Sequence, residues 1–411
     1  MILKQCKYII TQDPRRGILA DADIRIEGEQ IVEIGYGLKG DDVLPCNDKI
    51  IIPGFSNCHV HADVCFLNID LTESRFASEY PLSLIRLERS MSKEIALLSA
   101  EALFAESLLR GCTSLVLFTR YPRELQEIAK KVGIRVISGS LVSSMEELRN
   151  ISNESDTGIY CIYFNELMRE GSLNGLRELL QRVKSGRVYV HISETRRAAF
   201  EAKKKFGHFP VELLNELGLL TEKTVLVHSG WITSWEIEIV SHSGSSLVYC
   251  PSVEMRLATS GFPPLKDLIC KGISVGLGTD SLLTGLSLDI VEEARLAILH
   301  QRESYKGLVI SPKDALDLIT ISASKLTGMR LGRIQEGYLA DLLLIKLKPK
   351  FYGNSKRGLV SNIIYRLEYS DIDLIIIGGK LVEISKQRDS ILKSINVKLD
   401  RLNDLFYTIN Y

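Results

Sequence analysis

Eight apolar, strand-like runs separated by helical stretches constrain this chain more than any other feature. The first runs through Ile51 and Ile52 and on to His61, and the others cover 114–118, 135–140, 158–164, 187–193, 225–230, 247–251 and 274–280. Amphipathic patterns fill the spaces between them, as at 93–110, 195–217 and 289–302. Strands that alternate with helices imply a parallel sheet, because a parallel pair needs a crossover connection. Eight strands can close on themselves, and the stretch from about 53 to 331 is comparable to the roughly 250 residues of a (β/α)8 TIM-type barrel. The expected fold class is therefore α/β, with such a barrel over residues 53–333. A doubly wound open sheet is the alternative that the alternation leaves open.

The two ends of the chain have a different texture. Residues 1–52 are short extended runs broken by turn residues: Lys7-Tyr8-Ile9-Ile10, Asp13-Pro14, Ala22 to Ile26, Gly28, then Ile31 to Gly35. The segment 334–385 repeats this texture in Gly337 to Ile345 and Asp373 to Lys380. Both ends are thus expected to build one small composite β-sandwich domain. Beyond it, 386–411 reads as a helical tail with a weak apolar stripe of Leu392, Ile395, Val397, Leu399, Leu402 and Leu405.

Charge narrows the partners. The 51 basic and 51 acidic residues cancel, which leaves no electrostatic footprint for nucleic acid or for an anionic membrane surface. No stretch approaches the ~18 uninterrupted apolar residues of a membrane span, and Lys4 and Lys7 put charge where a secretory apolar region would lie. The eight cysteines never form a C-x-x-C pair and sit mostly in apolar runs, as Cys161 does, so a reducing, cytoplasmic setting is expected.

Four of the seven histidines fall at the ends of expected strands: His59, His61, His191 and His228. Side chains alternate along a strand, so His59 and His61 share one side, which at the C-terminal end of a barrel strand faces the mouth. His191 would reach that mouth from strand 5. Asp280 would reach it from strand 8, beside strand 1 once the barrel closes. Three imidazoles and a carboxylate suit Zn2+, and Fe2+ or Mn2+ could be held by the same donors.

Each residue also has a plainer reading. An H-x-H pair arises by chance, Asp280 could cap a helix or turn, His228 could be a core histidine, and Glu194 could complement a helix N-terminus. Those readings would have to hold together at four strand ends, and the alternative for Glu194 is a carboxylate over the metal that is not itself a ligand. Trp231 could stack on a planar base and Arg256 could pair with a substrate anion, although core packing and a Glu254 or solvent partner would account for them equally. His208, His242 and His300 lack strand-end placement, and strict alternation turns Cys58 away from the histidine face.

The runs Ile52-Pro53-Gly54-Phe55-Ser56-Asn57-Cys58-His59-Val60-His61, Val190-His191-Ile192-Ser193-Glu194-Thr195, Leu226-Val227-His228-Ser229-Gly230 and Gly278-Thr279-Asp280-Ser281 resemble the motifs of the amidohydrolase superfamily. The likeness is strongest to its branch of chlorohydrolases, guanine deaminases and S-adenosylhomocysteine/methylthioadenosine deaminases, and Glu336 to Leu342 is similar to that branch's return to its composite β domain. The resemblance implies His59, His61, His191 and Asp280 as ligands of one divalent metal, Glu194 as proton shuttle, and His228 on the attacking water or substrate. Binuclear relatives need a modified lysine at the end of strand 4, where this chain has Phe164-Asn165-Glu166, so a single ion is expected. Two departures concern specificity. Glu254 stands where the branch has asparagine, and 65–92 lacks a tryptophan-bearing pattern.

The expected activity is hydrolysis of a carbon–nitrogen bond by metal-activated water, foremost the deamination of a purine or pyrimidine base or nucleoside. The partner would then be a small heterocyclic substrate, and the resemblance adds the expectation of a homo-oligomer. A cyclic amide, guanidine or halogenated triazine is the alternative substrate for the same machinery. A metal-binding protein without turnover is the reading from another class, and it would be expected to lack Glu194 or His228. A two-His one-carboxylate oxygenase leaves His191, Glu194 and His228 without work.

Overall fold

The structure is a computed structural model that describes residues 1–67, 81–150, 158–183, 186–258, 261–352 and 356–409. The N-terminal end forms β1 (Ile2–Ile10), β2 (Ile18–Glu27), β3 (Gln30–Gly35), β4 (Val43–Pro45) and β5 (Lys49–Pro53). Eight parallel strands follow: β6 (Phe55–His61), β7 (Cys112–Thr119), β8 (Arg135–Val142), β9 (Ile159–Tyr163), β10 (Arg187–Ile192), β11 (Thr224–His228), β12 (Ser246–Tyr249) and β13 (Val275–Leu277). The chain then returns to the first sheet as β14 (Leu342–Lys346), β15 (Ile372–Ile377) and β16 (Lys380–Val382).

The parallel strands pair in sequence order from β6 to β13. The last meets the first through the Asp280 amide, which donates to the His59 carbonyl at 3.0 Å, and the His61 amide, which donates to the Asp280 carbonyl at 2.7 Å. This closure makes the sheet a barrel and not a doubly wound open sheet. Cys58, Val116, Phe118, Cys161, Tyr189, Val227 and Val248 pack together along its interior. Arg187, the first residue of β10, donates to the carbonyls of Lys325 and Leu326 at 3.1 and 3.0 Å, so helix Ser322–Thr327 covers the N-terminal end of the barrel. The C-terminal end is left for the site.

The two chain ends share one sheet, in the order β16-β15-β14-β5-β1-β2-β3, with β4 added beside β1. The sheet folds over. The Ile31 amide at one edge donates to Tyr338 O at 3.0 Å, and Ala340 N donates to Glu29 O at 2.7 Å. Leu3, Ile9, Ile24 and Ile31 thereby enclose one apolar core with Leu342, Leu344 and Ile376. The long tail helix Ile384–Ile409 packs on helix Lys93–Leu109 and buries Leu402 against Leu84 and Ile95.

Three local differences from the sequence expectation have simple causes. The first run is two strands, because the chain changes sheets at Gly54; a Cβ there would lie 2.2 Å from Thr113 Oγ1. The stretch 195–217 is two helices, Arg196–Phe206 and Pro210–Glu216, since Gly207 adopts φ +80° and Pro210 opens the second. Strand β6 shifts register between Asn57 and Val60, so Cys58 joins the interior packing despite strict alternation.

Candidate metal centre and active site

Each site residue is delivered by the end of a barrel strand. His59 and His61 come from β6, His191 from β10 and His228 from β11; Glu194 and Asp280 follow the ends of β10 and β13. The chain turns sharply there. Ser193, His228, Ser229 and Asp280 all adopt the left-handed region, at φ 49°, 70°, 62° and 61°. Such backbone costs on the order of 1–3 kcal/mol per non-glycine residue and concentrates at functional sites. Asn57 braces the β6–β13 seam: its amide nitrogen donates to Thr279 Oγ1 at 2.7 Å, and its oxygen accepts the Thr279 amide at 3.2 Å.

The donor atoms converge. Those of His59, His61 and His191 lie within 4.8 Å of one another, as do those of His59, His228 and Asp280. The Asp280 oxygens stand 3.9 Å from His59 Nε2, 3.9 Å from His61 Nε2 and 3.8 Å from His228 Nε2. Thr284 Oγ1 donates to Asp280 Oδ1 at 2.7 Å and fixes that carboxylate. All of these groups are fully buried. Yet both ring nitrogens of His59 and His191, Nε2 of His61 and Oδ2 of Asp280 have no hydrogen-bond partner. Leaving such atoms unsatisfied costs about 1–3 kcal/mol each, and a divalent cation would take one nitrogen from each ring and the free oxygen of Asp280. Imidazole nitrogens with a carboxylate oxygen are a donor set that fits the ion.

Electrostatics agree with that use at His59 and His191. Burial, together with the neighbouring imidazoles, pushes His59 and His191 well below the ordinary histidine range, which keeps lone pairs available. Burial and the charge of His61 push His228 down to about 3. For His61, burial acts downward too, but the carboxylates of Glu88 and Asp280 outweigh it and carry the group up to about 9. Burial raises Asp280 despite His61 nearby. This packing of acids and imidazoles is the charge pattern that an ion would neutralise.

Glu194 lies just before helix Arg196–Phe206, whose N-cap is Thr195, and its Oε1 is 3.6 Å from His228 Nε2. On the opposite side of that ring, Glu254 Oε1 is 3.7 Å from Nδ1. Glu254 sits on helix Pro251–Leu257 directly after β12, and neither of its buried oxygens has a hydrogen-bond partner. Burial, with the charges of Glu194 and Glu293, holds its carboxyl well above the usual range. Arg256, on the same helix, is exposed and donates to the carbonyls of Gly285 and Leu282, so it tethers the loop after Asp280 and does not pair with Glu254. Trp231 is half-buried, with the Arg196 guanidinium 5.9 Å from its ring centroid.

The remaining histidines stand apart. His208 pairs with Glu216 at 3.1 Å, His242 bonds its own helix, and His300 meets the Tyr249 hydroxyl at 2.6 Å. Two site residues escaped the sequence reading. Tyr163, and not Phe164 to Glu166, ends β9, and its ring stacks on His191 with centroids 4.4 Å apart. Glu88, on helix Leu82–Ser90, accepts from His61 Nδ1 at 2.7 Å and from the Tyr163 hydroxyl at 2.9 Å. Tyr163 had a signal, because it ends the neighbouring strand and pairs in register with His191. Glu88 had none.

A closed (β/α)8 barrel with imidazoles and a carboxylate gathered at its C-terminal mouth defines the class: a hydrolase built to use a divalent metal ion. The chain belongs to the amidohydrolase family, whose family model matches residues 50–382. A 5-methylthioadenosine/S-adenosylhomocysteine deaminase of Pyrococcus abyssi is 27% identical over 391 residues, covering 90% of this chain and 91% of that one. Among solved structures, a zinc-bound adenosine deaminase from Xanthomonas campestris superposes with a TM-score of 0.81 at 18% identity, covering 98% of each chain. A triazine hydrolase variant reaches 0.82 at 19% identity, over 97% of this chain and 99% of that one. These two neighbours share the fold while differing in the substrate they are named for. No described helix is long and apolar enough to cross a membrane.

Proposed function

We propose that this protein is a zinc-dependent aminohydrolase that deaminates a purine nucleoside, with adenosine derivatives altered at the 5′ position as the first substrate class. The observation that carries the reading is the pair of buried donor groups that share His59, one with His61 and His191 and one with His228 and Asp280, with Glu194 beside His228. The relatives named as 5-methylthioadenosine/S-adenosylhomocysteine deaminases, aligned over nine-tenths of the chain, support the substrate class. Zinc is favoured over Fe2+ or Mn2+ by the three-imidazole donor set and by the zinc-bound neighbour.

In this reading His59, His61, His191 and Asp280 hold the single ion. When bound, such an ion would supply a water nucleophile at neutral pH. Asp280 has the second oxygen needed to accept the water's proton. Glu194 delivers a proton to the ring nitrogen next to the attacked carbon, the proton taken up by Asp280 passes to the amino group so that it departs as ammonia, and the proton left on the added oxygen returns to Glu194 as the carbonyl forms. His228 is neutral at working pH, and it orients the water and stabilises the oxygen charge that grows during attack. Glu254 and Trp231 line the substrate side, with Arg256 as an outer contact through its loop.

The test is ammonia release by zinc-loaded protein from 5′-methylthioadenosine, S-adenosylhomocysteine, adenosine, guanine and cytosine, with Glu194→Gln as control. Release by the wild type alone supports the reading. Chloride release from a halogenated triazine, or ring opening of a cyclic amide, in the absence of ammonia would replace it.

A further inference from the structure

The ligand shell has a second layer that neither the motifs nor the comparisons assign. Glu88 is buried beneath the site, and both of its oxygens are engaged. Oε1 lies 2.7 Å from His61 Nδ1, and Oε2 accepts the Tyr163 hydroxyl at 2.9 Å. A carboxylate can only accept, so the proton of this bond sits on His61 Nδ1 and Nε2 is the nitrogen turned toward Asp280, at 3.9 Å. The Tyr163 ring, meanwhile, stacks on His191 with planes 10° apart. One pair of side chains therefore sets the orientation of two imidazoles from different strands.

We infer that Glu88 and Tyr163 act together as positioning residues for the metal centre: Glu88 fixes the tautomer and rotation of His61, and Tyr163 fixes the plane of His191 and holds Glu88 in place. The inference rests on His61 and His191 being ligands, as proposed above. A ligating histidine gains basicity and a fixed direction when its other nitrogen donates to a carboxylate, and loss of such a partner costs about 10–100-fold in metal affinity. Helix Leu82–Ser90 thereby carries a residue of the centre although it belongs to no barrel strand.

The experiment measures Zn2+ affinity by competition with a chromophoric chelator for wild type, Glu88→Gln, Tyr163→Phe, the double variant and His59→Ala, with the visible spectrum of Co2+-loaded protein as a second readout. Glu88→Gln is expected to weaken Zn2+ binding about 10–100-fold and to shift the cobalt bands. Tyr163→Phe keeps the ring and removes one bond, so its loss is smaller, and the double variant is no weaker than Glu88→Gln alone because the residues act as a unit. Wild-type zinc affinity and an unshifted cobalt spectrum in Glu88→Gln would overturn the inference, above all if KM alone rises, since Glu88 would then touch substrate only. If Glu88→Gln does not fold, wild-type affinity and an unshifted spectrum in Tyr163→Phe overturn it. Wild-type affinity in His59→Ala would overturn the metal-centre reading beneath it.

Discussion

The carbonyl of Asp280 accepts the His61 amide at 2.7 Å. The same residue whose carboxylate faces the imidazoles thus closes the barrel through its backbone, so the seam between β13 and β6 and the candidate metal centre are one piece of structure. On the proposed ligand set, metal binding would be coupled to the stability of the closure.

That coupling predicts a thermal shift. A ligand at 100 times its Kd stabilises the native state by about 2.7 kcal/mol. Zn2+ should raise the Tm of the wild type by several degrees and leave Asp280→Ala and His61→Ala nearly unmoved. Equal shifts in all three proteins would contradict the ligand assignment.

Burial and the charges of Glu194 and Glu293 raise the Glu254 carboxyl well above the usual range. Glu254→Gln keeps the shape of the side chain and introduces no charge, so kcat at pH 7 should stay close to that of the wild type. Glu254→Lys, by contrast, would bury an ammonium beside the His228 ring, and about 3 kcal/mol or more of stability should be lost. Chemical denaturation and steady-state kinetics check both.

Gly54 marks the change of sheet. A Cβ at this point meets Thr113 Oγ1 at 2.2 Å and Thr113 Cγ2 at 2.4 Å. Gly54→Ala should destabilise the protein by about 1–3 kcal/mol, the scale of an overpacked core. The companion change Thr113→Ser, which removes the Cγ2 atom, should recover part of the loss in urea titrations.

Asp23 couples pH to the β domain. Burial alone would raise its pKa, but the Gln5 amide, the Lys4 ammonium and the Leu38 amide hold the carboxyl below the usual range. A depressed folded pKa means that the unfolded chain binds more protons, so this stabilisation is present above about pH 4 and is lost as pH falls through the folded value. Wild type should lose more Tm between pH 6 and pH 3 than Asp23→Asn does. An identical slope for the two would exclude the coupling.

The barrel was legible because eight apolar runs alternating with helical stretches leave few topologies, and His59, His61 and His191 were legible because side-chain parity at a strand end decides which way they face. Asp280 followed from the same logic once eight strands were counted. Glu88 was hidden, since nothing in the sequence says that helix Leu82–Ser90 returns to lie under His61. The bulge at Asn57–Val60 was hidden for a related reason: it depends on the neighbouring strand, which alternation along one strand ignores. The breaks at Gly54 and Gly207–Pro210 were written in glycine and proline, but the apolar runs on either side masked them. The expected departure over 65–92 falls partly outside the described residues, which stop at 67 and resume at 81.

The most direct test of the central claim is the rate of ammonia release from 5′-methylthioadenosine and its relatives by zinc-loaded wild type and Glu194→Gln at equal metal content. The account predicts turnover by the wild type and a loss of about 10²–10⁴-fold in Glu194→Gln with its zinc retained. Near-equal rates in the two proteins, or no ammonia from any heterocyclic amine by wild type with a full complement of metal, would contradict it.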